Sequence, residues 1–241
     1  MSSIGWFPKK LERWLIENED TSLTIFLVVL CSLSFFIMPL MHVSDLEEVW
    51  VTVVYSLLFL AAAFTGGLTG LWRTLAFMLA SSSIFTTWMR DVNGGEGWTA
   101  ASLISSIAFM AFVCYQLNLE VFRPGEINGH RIRGAIAIYV IIGFIFAMVY
   151  SLVELLAPGS FSGLGPDGFG KGLEKSVYFS FVTLTTLGFG DTVPISVVAR
   201  NLAVVEAIIG QLYLTILIGR LISLHGPPAD PEADSDEAVG R

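Results

Sequence analysis

Thr186-Leu187-Gly188-Phe189-Gly190-Asp191 is the run of this 241-residue chain in which residue type and spacing carry chemistry most plainly. Glycine at alternate positions lets the backbone take up angles that side-chain-bearing residues resist. Successive carbonyl oxygens then point to the same side. A ring of such carbonyls, drawn from four strands facing one another around an axis, can replace the hydration shell of a cation that has lost its water. The Thr186 hydroxyl can close the innermost position, while Leu187 and Phe189 point away from the axis and wedge the strand against the helix before it.

Other chemistry-bearing residues are sparse. Glu206 lies well inside an apolar run, where an acid is costly and is by default a functional candidate. His42, His130 and His225 each fall near the edge of an apolar run, as pH-sensing or plain interfacial residues. Cys31 and Cys114 stand alone in apolar runs and read as small hydrophobes, with no zinc or disulfide spacing. No catalytic constellation is present, so the chain reads as a non-enzyme, with no cofactor other than the bound cation and no nucleic-acid partner.

The elements that must position these residues are set by composition. The chain is 54% hydrophobic and 14% charged, with a mean hydropathy of +0.71, outside the range of ordinary soluble domains. Lipid is the solvent for most of it. A helix needs about 20 mostly apolar residues to cross the hydrocarbon core. Six such crossings can be drawn: Ser22–Met41, Glu48–Thr65, Leu71–Trp88, Trp98–Leu119, Gly134–Leu156 and Val197–Leu224, with residues 66–70 as the turn between the second and third. Residues 1–20 form an amphipathic segment that lies in the interface or merely orients the first crossing. The first crossing, preceded by Glu17, Glu19 and Asp20, reads as a retained helix.

Between the fifth and sixth crossings, Ala157–Ser196 is too long for a turn and contains a second apolar piece, Gly172–Thr185. At roughly 20 Å this helix is too short to span. With Thr186–Asp191 after it, it forms a re-entrant hairpin, in which non-helical backbone at membrane depth must be satisfied by protein or water. The helix's C-terminal end directs partial negative charge into the space below, which favours a cation there.

Basic residues set the orientation. With the N-terminus inside, Lys9, Lys10, Arg13, Arg73, Arg123, Arg131, Arg133 and Arg220 are cytoplasmic, and only Arg90, Lys171, Lys175 and Arg200 are outside. Both termini then face the cytoplasm. The net charge of -8 comes from loop acids and from the tail, which reads as solvated. Arg220, near the inner end of the last crossing, contacts lipid headgroups or snorkels to the interface.

In residues 134–224 the chain resembles the tetrameric potassium-channel superfamily. The run Thr185-Thr186-Leu187-Gly188-Phe189-Gly190-Asp191 is similar to the family's filter signature, with Phe189 for the commoner tyrosine. The resemblance implies potassium ions at the carbonyls of residues 186–190 and at Thr186, a hinge at Gly210, and a cavity lined by Gln211, Leu214 and Ile218. It also implies a homotetramer in the cell membrane. The fold expected is an all-α membrane protein: segment 1–20, a four-helix peripheral domain over 21–120, a linker at 121–133, the pore domain at 134–224 and an acidic tail at 225–241.

Two departures bear on mechanism. Val182 stands where some relatives carry a glutamate that bonds to the residue matching Asp191, so support for Asp191 falls to another group, with Tyr178 the candidate. The fourth crossing has no arginine or lysine, so the first four helices occupy a voltage sensor's place without its charges. The linker, broken by Pro124-Gly125 and Asn128-Gly129, is a poor coupling helix. No soluble ligand-binding module is expected after His225, so a stimulus acts through the membrane domain or a separate protein.

For Glu206, one turn outward of Gly210, the sequence leaves open Thr183 or Thr185, a neighbouring subunit, the cavity, or a purely structural role. Rival readings of the whole are a less selective cation channel, a transporter-type uptake subunit, and a membrane sensor with a vestigial pore.

Overall fold

The computed structural model describes residues 28, 56, 71–123, 129–164 and 169–225. The amphipathic segment 1–20, the first two crossings, the turn at 66–70, His42, Cys31 and the acidic tail after His225 lie outside the described residues, save for Val28 and Ser56, which are helical. The elements are α1 (Leu71–Asn93), α2 (Glu96–Val121), α3 (Gly129–Leu156), β1 (Phe161–Ser162), α4 (Phe169–Leu184), β2 (Val193–Pro194) and α5 (Val197–His225).

Each helix packs on the next in sequence, and α3 also meets α5. Three helices are long and apolar enough to cross a membrane, over Glu96–Val121, Arg131–Leu156 and Val197–Arg220. Helix α1, where the sequence suggests the third crossing, is not among them. Its apolar residues are diluted by Arg73, Ser81-Ser82-Ser83 and Thr86-Thr87. Those hydroxyls are used: Ser83 Oγ lies 2.9 Å from Ser106 Oγ, and Thr86 Oγ1 lies 2.8 Å from Ser105 Oγ of α2. Small polar residues let two helix backbones approach and bond where the surroundings are apolar.

The core lies between α2 and α3. Phe109, Met110 and Val113 meet Ile138, Ile141 and Phe144, and Leu173 and Val177 of α4 close the cluster. A smaller cluster joins Tyr150, Phe161, Phe179 and Ala199 at the other end of α3. There Tyr150 sits edge-on to both Phe161 and Phe179, with centroids 5.3 and 5.0 Å away, the geometry favoured by aromatic quadrupoles. These clusters hold the short α4 against α3.

Helix boundaries differ slightly from those drawn on the sequence. The fifth crossing was placed from Gly134, but α3 begins at Gly129, past the break expected there, with His130–Arg133 as its first turn. The short helix starts at Phe169 rather than Gly172 and ends at Leu184. Its 16 residues make about 24 Å, still less than the hydrocarbon thickness.

Candidate functional site

The site begins where α4 stops. Thr185 N–H donates to Phe181 O (3.0 Å) and Thr186 N–H to Thr183 O (2.9 Å), a tightened last turn; Leu187 and Gly188 N–H then both point back to Val182 O, at 2.9 and 3.3 Å. Val182, considered in the sequence for the side chain it lacks, acts through its carbonyl. Beyond this point the chain leaves the helix, and its backbone alternates. Positive φ angles occur at Thr186 (59°), Gly188 (63°) and Gly190 (79°), while Leu187 and Phe189 between them stay negative. Alternation between left-handed and ordinary backbone turns successive carbonyls to one side. Thr186, a β-branched residue in the left-handed region, was not foreseen to share in it, because residue type alone marks only the glycines.

Residues 185–191 are all exposed in a single chain. Phe189 nonetheless has a partner: its ring lies 6.4 Å from that of Tyr178 on α4 and within 3° of parallel. The Tyr178 hydroxyl donates to Asp191 Oδ2 (2.8 Å), and Asp191 Oδ1 accepts from its neighbour Thr192 N–H (3.0 Å). One tyrosine thus contacts the loop at two points. The hydrogen bond to Asp191 pushes the Tyr178 hydroxyl above the ordinary tyrosine range.

A strap that the sequence did not reveal closes the loop from outside. Phe161 pairs with Pro194 and Ser162 with Val193, and Ile195 N–H donates to Ser160 O at 2.7 Å. Glu154, at the end of α3, fixes the near side of this strap by accepting from Gly159 N–H (2.7 Å) and Phe161 N–H (3.0 Å). Two-residue strands have no periodicity to read, so pairing across 30 intervening residues had no signal.

Gly210 is buried against α4. A β-carbon there would sit 2.8 Å from both Leu184 O and Leu184 Cδ1. Gln211, Leu214 and Ile218 are exposed in the single chain and follow one another at helical spacing along α5. The same Leu184 carbonyl accepts from the Tyr139 hydroxyl of α3 at 3.1 Å. Tyr139 stacks on Tyr213, whose hydroxyl donates to Ala135 O at 2.8 Å. Tyr139 and Tyr213 carry no motif; only their position inside apolar runs hints at a buried bond.

Glu206 is wholly buried. Its Oε2 accepts from the Tyr150 hydroxyl, its Oε1 contacts Ser180 Oγ, and Ser180 Oγ also lies 2.7 Å from Gly143 O. The partners suggested from the sequence are thereby corrected. Thr185 Oγ1 bonds instead to Phe181 O (2.6 Å), and Glu206, wholly buried within one chain, meets hydroxyls of α3 and α4. The cause is helical phase: position 206 faces the α3–α4 seam.

Arg220 is likewise held by protein. Its Nη2 donates to Arg123 O (2.8 Å), and its guanidinium lies 4.9 Å from the Phe122 ring centroid. Arg131 Nη1 reaches the same carbonyl at 2.9 Å. The side chains of His130 and His225 lie outside the described residues. Cys114 is half-buried, with Asn118 Nδ2 at 3.8 Å from its sulfur. Among the described residues no cluster of His, Cys, Asp or Glu has metal-binding geometry.

Residues 135–225 match a protein family described as ion channel. Two similar proteins are Protein LctB of Bacillus caldotenax, 32% identical over 81 residues, and Protein LctB of Geobacillus stearothermophilus, 29% identical over 80 residues. Each alignment covers 32% of this chain and 59% of the relative. The chain therefore spans under two thirds of the relatives it matches. No solved structure matches it. The matched stretch holds α3, α4, the alternating loop and α5, and over that stretch the comparisons support an ion channel.

Proposed function

We propose that the chain is one subunit of a potassium-selective channel, a homotetramer in the cell membrane with both termini cytoplasmic, that conducts potassium passively down its gradient. The observation that carries this reading is the left-handed backbone at Thr186, Gly188 and Gly190. Strain at a β-branched residue costs of order 1–3 kcal/mol, persists only where the surrounding structure over-determines it, and clusters at functional sites. Here the alternation turns the carbonyls of residues 186–190 toward one side, the arrangement that replaces potassium's hydration shell.

One loop supplies a quarter of a ring. The exposure of every residue from 185 to 191, and of Val205, Ile208, Leu212 and Ile216 along α5, accords with surfaces that further copies and lipid cover. Tyr178, Asp191 and the strap hold the loop from outside; Val182 O and the end of α4 hold it from within. Gln211, Leu214 and Ile218 line the cavity below. The peripheral helices carry no voltage-sensing charge, and a stimulus acts through the membrane domain or a separate regulatory protein.

The test is flux from liposomes containing only this protein, followed by the reversal potential with potassium on one side and sodium on the other. A potential far from zero, of the sign set by potassium, supports the reading. A potential near zero in a conducting preparation identifies a less selective cation channel, and absence of flux identifies a non-conducting membrane protein.

A further inference from the structure

Three contacts join five oxygens of four residues behind the loop: Tyr150 Oη with Glu206 Oε2, Ser180 Oγ with Glu206 Oε1, and Ser180 Oγ with Gly143 O at 2.7 Å. Each contact needs a proton between its oxygens, since two lone pairs at that separation repel. Tyr150 and Ser180 bring one proton each. Gly143 O is an acceptor only. The third proton therefore belongs to the Glu206 carboxyl, which donates through Oε1 to Ser180 while Ser180 donates to Gly143.

The surroundings agree. Ser180 and Glu206 are fully buried, as is Tyr150. Among the described residues no lysine, arginine or histidine pairs with Glu206. The titratable groups that face it are Tyr150, in contact, and Tyr139, close enough to interact through space, both from α3. Among the described residues, its hydrogen-bond partner from α4 is the Ser180 hydroxyl. On α5 itself the nearest charged residue in sequence is Arg200, whose Nε donates to Pro194 O. A buried carboxylate with no cation is strongly disfavoured, whereas the neutral acid completes the network.

We propose that Glu206 is a positioning residue held as a neutral carboxylic acid, which pins α4 to α3 and α5 at once and so sets the position of the loop that α4 carries. The residue touches no ion. Tyr150 anchors it to α3, its own backbone belongs to α5, and Ser180 is one turn before Leu184, where the helix ends. The inference rests on the channel reading for its effect on conduction, but the charge state can be tested without it.

The experiment is infrared spectroscopy of the purified protein in liposomes across pH 5 to 9, with Glu206→Gln, Glu206→Ala and Tyr150→Phe, alongside potassium flux. The unmodified protein is expected to show the carbonyl-stretch band of a protonated carboxylic acid at neutral pH and below. Glu206→Gln should remove it, and Tyr150→Phe should shift it by deleting one hydrogen bond. Glutamine, neutral and able to donate one way and accept the other, is expected to retain flux within about twofold and with the same flat pH profile. Glu206→Ala, which leaves the buried Tyr150 hydroxyl without its acceptor and opens a void between the three helices, is expected to lower thermal stability and cut flux by about tenfold or more. The proposal is overturned if the unmodified protein lacks the band at neutral pH, or if Glu206→Gln is as damaging as Glu206→Ala. Should Glu206→Gln fail to fold, a band unmoved by Tyr150→Phe overturns it as well. Absence of flux from the unmodified protein with the band present would defeat the channel reading and leave the neutral acid standing.

Discussion

Gly210 rests against the carbonyl of Leu184 so closely that a β-carbon would come within 2.8 Å of it. The obstacle is backbone at the end of α4, which cannot rotate away as a side chain can. Its carbonyl is also the acceptor for Tyr139. A glycine in the middle of the last crossing invites a hinge interpretation, and the geometry supplies another reason for it: α5 and α4 touch there through backbone.

Gly210→Ala is accordingly expected to destabilise the protein by about 1–3 kcal/mol, the usual cost of overpacking a close contact. Thermal melting of the protein in detergent or liposomes measures this directly. A residue that serves only as a hinge would change opening and leave the melting temperature alone.

Gly188→Ala and Gly190→Ala should abolish conduction while sparing assembly. In a single chain nothing lies within 4 Å of a β-carbon built on either residue, so the penalty is conformational. Their φ angles of 63° and 79° cost an alanine about 1–2 kcal/mol each, which relaxes the alternation rather than unfolding the helices. Size-exclusion chromatography beside a flux assay separates the two effects, and a monomeric or aggregated product would contradict the expectation.

Tyr178→Phe keeps the ring that stacks on Phe189 and removes the donor to Asp191. Conduction or selectivity should fall severalfold with assembly intact. The pH dependence has a definite sign. The Tyr178 hydroxyl is raised above the ordinary tyrosine range by its bond to Asp191, so the bond is present below that range and through it, and is lost only as pH rises past the elevated value. Flux should therefore stay level from neutral pH to about 10 and decline above, and the phenylalanine variant should lack that alkaline limb. A wild-type decline centred near neutrality would point to another group.

Opening should depend only weakly on voltage. Helix α2, where the sequence suggests the fourth crossing, contains neither arginine nor lysine. Steep voltage dependence needs charge to move through the field, at about 2.3 kcal/mol per charge per 100 mV. Single-channel recording that required more than about four elementary charges per tetramer would mean that a charged segment moves after all.

What was legible in the sequence divides along a physical line. Hydropathy located α2, α3 and α5, because burying backbone in lipid demands a long apolar helix and leaves little choice. It also drew a crossing over Leu71–Trp88, where the serines and threonines of α1 bond to α2. The short helix and the glycine alternation were legible because both are properties of consecutive residues. Tyr178 was named as the candidate support for Asp191 because Val182 takes the place of a glutamate that some relatives use, and its hydroxyl lies 2.8 Å from Asp191 Oδ2.

Glu206 marks the limit of such reading. Its cost inside an apolar run is a property of the residue and could be seen at once. Its partners are properties of three helices: Tyr150 is 56 residues away and Ser180 is 26, and which of several hydroxyls it meets depends on the rotation of α5 about its own axis. The strap from Phe161 to Pro194, the Tyr139 bond to Leu184 and the steric reason for Gly210 are of the same kind. Apolar runs and glycines act through local backbone energetics, so the sequence by itself determined where the chain enters lipid and where its carbonyls can align. The choice of hydrogen-bond partner is decided by contacts between helices distant in sequence, and only their packing decided it.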